Sequence, residues 1–125
     1  MLSLPPAVRI WVSTRPADLR KSFDGLAALV EQWLEGDPLS GHVFVFRNKM
    51  GDRVKLLVWD GDGYVIYYKR LEEGTFRFPV AVDQASVALR AADLLMLLDG
   101  VDLSSVRRRR RYRRPQPVLT SCSMT

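Results

Sequence analysis

"VWDGDGYVIYYKR", residues 58–70, sets two Asp-Gly pairs between an apolar run ending in Trp and a second run of Val, Ile and Tyr. It can be read as a metal loop, a phosphate loop or a turn between strands. A calcium loop of the EF-hand kind needs acidic or amide side chains at positions 1, 3 and 5, Gly at 6 and Glu at 12. Counted from Asp60, position 3 is Asp62, but position 5 is Tyr64 and position 6 is Val65. A dinucleotide fingerprint needs a third Gly where Ile66 stands, and a helix after it. No Gly-x4-Gly-Lys-Ser/Thr sequence occurs in the chain. What remains is turn chemistry: Gly supplies a positive φ, and Asp bonds locally to backbone amides.

A hairpin closed by residues 60–63 pairs Trp59 with Tyr64, Val58 with Val65, Leu57 with Ile66, Leu56 with Tyr67 and Lys55 with Tyr68. One face then carries Val54, Leu56, Val58, Val65 and Tyr67 and suits a core. The other carries Arg53, Lys55, Leu57, Trp59, Tyr64, Ile66, Tyr68 and Arg70. Aromatic rings interleaved with basic groups can stack bases. They can equally form cross-strand pairs under a helix, with the cations snorkelling outward. Leu57 and Ile66 on that face demand burial, which favours the structural reading.

Outward from the hairpin, "VRIWVS" (8–13) and "HVFVF" (42–46) read as strands. Between them Phe23, Leu26, Ala27, Leu29, Val30, Trp33 and Leu34 recur at helical spacing, stopped by Gly36, Asp37 and Pro38. After a turn at Glu73-Gly74 comes "TFRF" (75–78), closed by Pro79. Residues 80–90 fit either a last strand or the start of a helix. A short helix follows over residues 91–98, with Asp99-Gly100 as its stop. The expected fold is α+β: an antiparallel sheet of four to five strands, one packed amphipathic helix, a short C-terminal helix and a disordered basic tail. The expected division is one domain over residues 1–106 and a flexible basic tail over 107–125.

The 125 residues carry a formal net charge of +5. Arg107, Arg108, Arg109, Arg110, Arg111, Arg113 and Arg114 supply seven of the 19 basic residues, leaving 12 against 14 acidic ones, a balance of −2. Guanidinium groups at this density pair well with phosphate oxygens. Full engagement implies a salt slope of about −6, at roughly −0.9 per phosphate neutralised. Such contacts position a protein on nucleic acid without reading bases. The other reading is a solubilising tail that attracts any polyanion. Cys122 and His42 are each single, so neither a disulfide nor a nitrogen-and-sulfur zinc site can form within one chain. No cofactor, metal or small-molecule substrate is expected. The longest apolar run near the end, residues 94–98, is far short of the roughly 20 needed to span a membrane, and no signal peptide is legible. A soluble, cytoplasmic protein is expected. The carboxylates lie mostly at turns and helix ends, where local hydrogen bonding accounts for them. Asp60 and Asp62 are the best candidates for a metal-dependent nuclease, but no spacing supports one. No catalytic residue is assigned.

"DLRKSFDGLAALV" (18–30), "DPLSGHVFVFRNKMGDRVKLLVWDGDGYVIYYKRLEEGTFRFP" (37–79) and "AADLLMLLDGVDL" (91–103) together resemble the accessory transposition protein of the insertion-sequence-66 family, the second open-reading-frame product (TnpB). The resemblance covers residues 8–103 in order and spacing, while the arginine run departs from the shorter basic ending usual in the family. It implies a bacterial mobile element whose separate transposase cuts DNA, with this protein assisting. DNA and that transposase are the implied partners. The motif's polar members are Asp18, Arg20, Lys21, Arg47, Asn48, Asp52, Lys55, Asp60, Lys69, Arg70 and Glu72. Of these, Arg20, Lys21, Arg47, Lys69 and Arg70 are the candidate nucleic-acid surface of the folded part, joined by the seven tail arginines. Alternatively Asp18, Asp52 and Glu72 pair with these cations as surface salt bridges worth about 0 to 1 kcal/mol each. Trp59, Gly63, Gly74, Phe76 and Pro79 read as fold determinants. The leading expectation is a non-catalytic accessory factor for transposition. A general nucleic-acid-binding module acting through the tail is the alternative.

Overall fold

The computed structural model describes residues 7–79, 81 and 83–100. Five strands and two helices follow one another as β1 (Ile10–Ser13), α1 (Phe23–Leu34), β2 (Val43–Arg47), β3 (Arg53–Trp59), β4 (Tyr64–Arg70), β5 (Ser86–Leu89) and α2 (Ala91–Asp99). The sheet order is β4-β3-β2-β1-β5. The β3–β4 hairpin has the register read from its turn, from Trp59 opposite Tyr64 to Arg53 opposite Arg70. Residues 80–90 resolve in favour of a strand, since β5 pairs antiparallel with β1.

The α+β class holds, but the sheet is mixed: β1 and β2 run parallel, with Ile10 beside Val43 and Val12 beside Val45. The cause is α1. A helix crossing one face of the sheet returns the chain to the end where β1 began, so the next strand starts in the same direction. β2 is thereby central and covered on both faces, which explains its unbroken apolar run Val43, Phe44, Val45, Phe46.

Each face carries its own core. Phe44, Phe46 and Leu57 pack with Leu26, Leu29 and Val30 of α1, joined by Ala17 and Leu19 from the β1–α1 connection. Ile10, Val12, Val43, Val45, Val54 and Leu56 pack on the other face with Leu94 and Leu97 of α2 and with Phe76. Residues 75–79 do not form a strand. Phe76 N–H donates to the Gly51 carbonyl at 2.9 Å and its ring enters the α2-side core, so this segment is a strap anchored by Phe76 beside the β2–β3 turn. The expected basic tail, with all seven of its arginines, lies outside the described residues.

Candidate nucleic-acid interface

The topology sends the β1–α1 connection, the β2–β3 turn and the β4–β5 connection to one end of the sheet. The turn there, residues 48–52, is tightly held. Asn48 Oδ1 accepts the N–H groups of Gly51 at 2.9 Å and Arg53 at 3.1 Å, and its Nδ2 donates to Asp52 Oδ1 at 2.7 Å. Gly51 takes the positive φ of 79° that the turn requires. The Asp52 carbonyl accepts Leu71 N–H at 2.8 Å, which locks the turn to the start of the β4–β5 connection.

Between this turn and residues 75–79 lies a cleft of about 460 Å³, lined by Thr14, Arg47, Lys49, Gly51, Arg77 and Phe78 among others. Among the described residues its charged lining, Arg47, Lys49 and Arg77, is all cationic. The half-buried Arg47 guanidinium lies 5.6 Å from the Phe78 ring centre and reaches the carbonyls of Asn48 and Thr14, each at 3.4 Å. Lys49 and Arg77 are exposed. Behind the same turn, on the α1 side, a smaller recess of about 230 Å³ is lined by Asp18, Arg20, Asn48, Arg53 and Tyr68 among others.

The five candidate cations of the folded part do not form one surface. Arg20 is held by Asp18 in a forked pair, with Nη2 to Oδ2 at 2.8 Å and Nε to Oδ1 at 3.0 Å. This hydrogen bond, more than the accompanying charge, pulls the Asp18 carboxyl down to about 2. Arg70 pairs with Glu72 at 3.3 Å. Lys69 is on the opposite face from Arg70, half-buried, and its Nζ donates to the Leu98 carbonyl at the end of α2 at 3.1 Å. The Lys21 carbonyl accepts the Lys55 ammonium at 2.8 Å, and the Lys21 side chain is exposed. Arg47 alone of the five lines the cleft. Its partners there, Lys49 and Arg77, were missed by sequence reasoning. Lys49 was hidden in a turn-rich stretch, and Arg77 between two phenylalanines whose segment gives no sign of folding beside that turn.

The aromatic and basic face of the hairpin is a packing surface in its middle. α1 covers it, Leu57 is fully buried, and Lys55 lies under Tyr68 with its ammonium 4.7 Å from the ring centre. Trp59 and Tyr64 meet edge to face at 5.1 Å. Asp60 and Asp62 occupy the hairpin turn, where Asp60 Oδ1 accepts the N–H groups of Asp62 and Gly63 at 3.4 and 3.2 Å. These bonds hold the Asp60 carboxyl below its usual range. Among the described residues, no group of three or more His, Cys, Asp or Glu side chains is placed to hold a metal, and no helix is long and apolar enough to cross a membrane.

Two curated proteins of Sinorhizobium fredii are similar along nearly their whole lengths. The uncharacterized protein y4jC is 38% identical over 109 residues, covering 87% of this chain and 92% of its own. The uncharacterized protein y4hO is 38% identical over 102 residues, covering 82% and 88%. No solved structure matches. The family model described as IS66 Orf2 like protein matches residues 8–108, which takes in the sheet, both helices, the cleft and its cations. The chain therefore belongs to the IS66 Orf2-like family, the small accessory proteins of insertion-sequence-66 transposition.

Proposed function

We propose that the protein is a non-catalytic accessory factor in the transposition of a bacterial insertion sequence, and that it contacts both DNA and the separate transposase of its element. The family match over residues 8–108 carries this reading. The gathering of strand-end cations around one rigid turn supports DNA contact by the folded part, because guanidinium and ammonium groups engage phosphate without needing a base-reading helix. The arginine segment adds a second, sequence-independent contact.

The test is DNA binding across a salt series, with the full chain compared with one ending at Val106, on element-end DNA and on a scrambled duplex. A shortened chain that still prefers the element end, and that co-purifies with the transposase, is the expected result. Loss of all binding on shortening, with no sequence preference and no transposase contact beforehand, replaces this reading with the alternative of a general nucleic-acid-binding module. The seven arginines within residues 107–114 are the observation that favours that alternative.

A further inference from the structure

We infer that the cleft between the β2–β3 turn and residues 75–79 is a phosphodiester-binding site, in which Arg47, Lys49 and Arg77 hold the backbone of a nucleic acid. The inference rests on the DNA-contact part of the proposed function and assigns it to a place.

Four observations carry it. Among the described residues, the charged ones lining the cleft are all cations. The salt bridges of Arg20 with Asp18, Arg70 with Glu72 and Arg90 with Asp93 involve none of Arg47, Lys49 and Arg77. Arg47 is pre-positioned at the end of a central strand against Phe78. Its contacts to two carbonyls at 3.4 Å are at the long limit of hydrogen bonding, which leaves its donors able to turn to a better acceptor. The turn that presents Lys49 is closed by Asn48 through three hydrogen bonds, so the site is built on rigid backbone and little ordering is required on binding.

A polymer fits better than a single carboxylate. The second recess lies on the other side of the same turn, where Arg20 is paired with Asp18 and Arg53 adds a further cation, so an excess of positive charge continues around the ridge. A phosphodiester chain repeats its charge along its length and can occupy both, with Arg offering the fork that matches phosphate oxygens.

The decisive experiment uses the full chain and a duplex of arbitrary sequence, with affinity measured from 50 to 300 mM salt. Lys49→Gln/Arg77→Gln removes two exposed cations and leaves Arg47 in place. Arg9→Gln/Arg90→Gln removes two from the opposite end of the sheet as a charge-matched control. The cleft variant should lower the steepness of the salt dependence by about 2 and weaken binding at least tenfold at 50 mM, at roughly one unit of slope per phosphate contact. The control should leave the slope within about 0.3 of the parent. Equal losses in both variants overturn the site in favour of diffuse attraction. An unchanged cleft variant overturns the site while leaving DNA contact by the protein intact. A parent chain that fails to bind DNA overturns the functional reading and this inference with it. Amide shifts of Gly51 and Arg77 distinguish the source of the anion. Saturation by inorganic phosphate that duplex does not compete away assigns the cleft to a small anion. Displacement of duplex by polyglutamate of equal charge at equal concentration assigns it to an acidic protein surface.

Discussion

Lys55 lies mid-strand with only 8% of its surface exposed, between the sheet and the start of α1. The Lys21 carbonyl accepts its ammonium at 2.8 Å and the Tyr68 ring faces it, which offsets the cost of taking that group out of water. Lys55→Met keeps the stem's packing and removes the donor, leaving that carbonyl to find another partner. Urea unfolding should show a loss of about 1 to 3 kcal/mol with an unchanged m-value. A shift within experimental error would mean that water replaces the ammonium without cost. Asp18 makes a different kind of test because it lies at the surface. Arg20's hydrogen bond lowers its carboxyl from 3.8 to about 2, so the stability tied to its ionisation is present above pH 4 and disappears as the pH falls through 2. In Arg20→Gln the Asp18 carboxyl, followed by NMR, should titrate above 2 but still below 3.8, because the backbone N–H of residue 20 continues to donate to it. If its midpoint stays near 2, the neighbouring backbone N–H is its main partner.

At the level of elements, the two ends of the helix-and-hairpin unit differ in how well their residues suit the backbone. α1 stops with Glu35 in the left-handed region at φ 53°, while Gly36, the natural occupant of such a position, is one residue later and closes on the Val30 carbonyl. Glu35→Gly should raise stability by about 0.5 to 1 kcal/mol by relieving that strain, less the extra entropy of the unfolded chain. Gly61 in the hairpin turn has φ 109°, with open space where a Cβ would stand. Gly61→Ala should therefore cost about 1 to 3 kcal/mol through backbone strain alone. Both are read from chemical denaturation, and opposite signs are the diagnostic result. The hairpin was legible because a two-Gly turn fixes which residues face each other, and facing residues share a side of the sheet. Helix α1 was legible from its spacing. The parallel pairing of β1 with β2 was not, because strand direction after a helix depends on where that helix crosses, and no local pattern encodes the crossing. The strap at 75–79 was missed for a related reason: Phe76 and Phe78 alternate like a strand, but the partner of Phe76 N–H is a turn carbonyl, not a neighbouring strand.

Across the whole molecule the same topology separates charge. Arg15, Arg20, Arg47, Lys49, Arg53, Arg70 and Arg77 outnumber Asp18, Asp52, Glu72 and Glu73 at the end where β1 and β2 finish, while Glu35, Asp37, Asp60 and Asp62 outnumber Arg9 and Arg90 at the opposite end, so each end carries an excess of one sign. The Tyr64 hydroxyl is pushed up first by burial and then by Glu31 and Asp24 of α1 and Asp37 of that second end. In the sequence these charges alternate along the chain, so their separation is invisible until the strands are ordered. That is why a motif-based set could name Arg47 yet join it to Lys69, which the sheet turns toward α2. The ends are separated by a seven-residue strand, about 20 Å. This exceeds the Debye length of roughly 10 Å at 0.1 M salt and falls within the 30 Å at 0.01 M. Neutralising the acidic end with Glu35→Gln/Asp62→Asn should therefore tighten duplex binding by roughly two- to fivefold at 10 mM salt and leave it unchanged at 150 mM, if DNA engages the cationic end alone. A gain of equal size at both salts would place the acidic loops against the phosphates and require DNA to lie along the full length of the sheet. The salt dependence of that double variant thus reports where on the molecule the nucleic acid sits, independently of any substitution in the cleft.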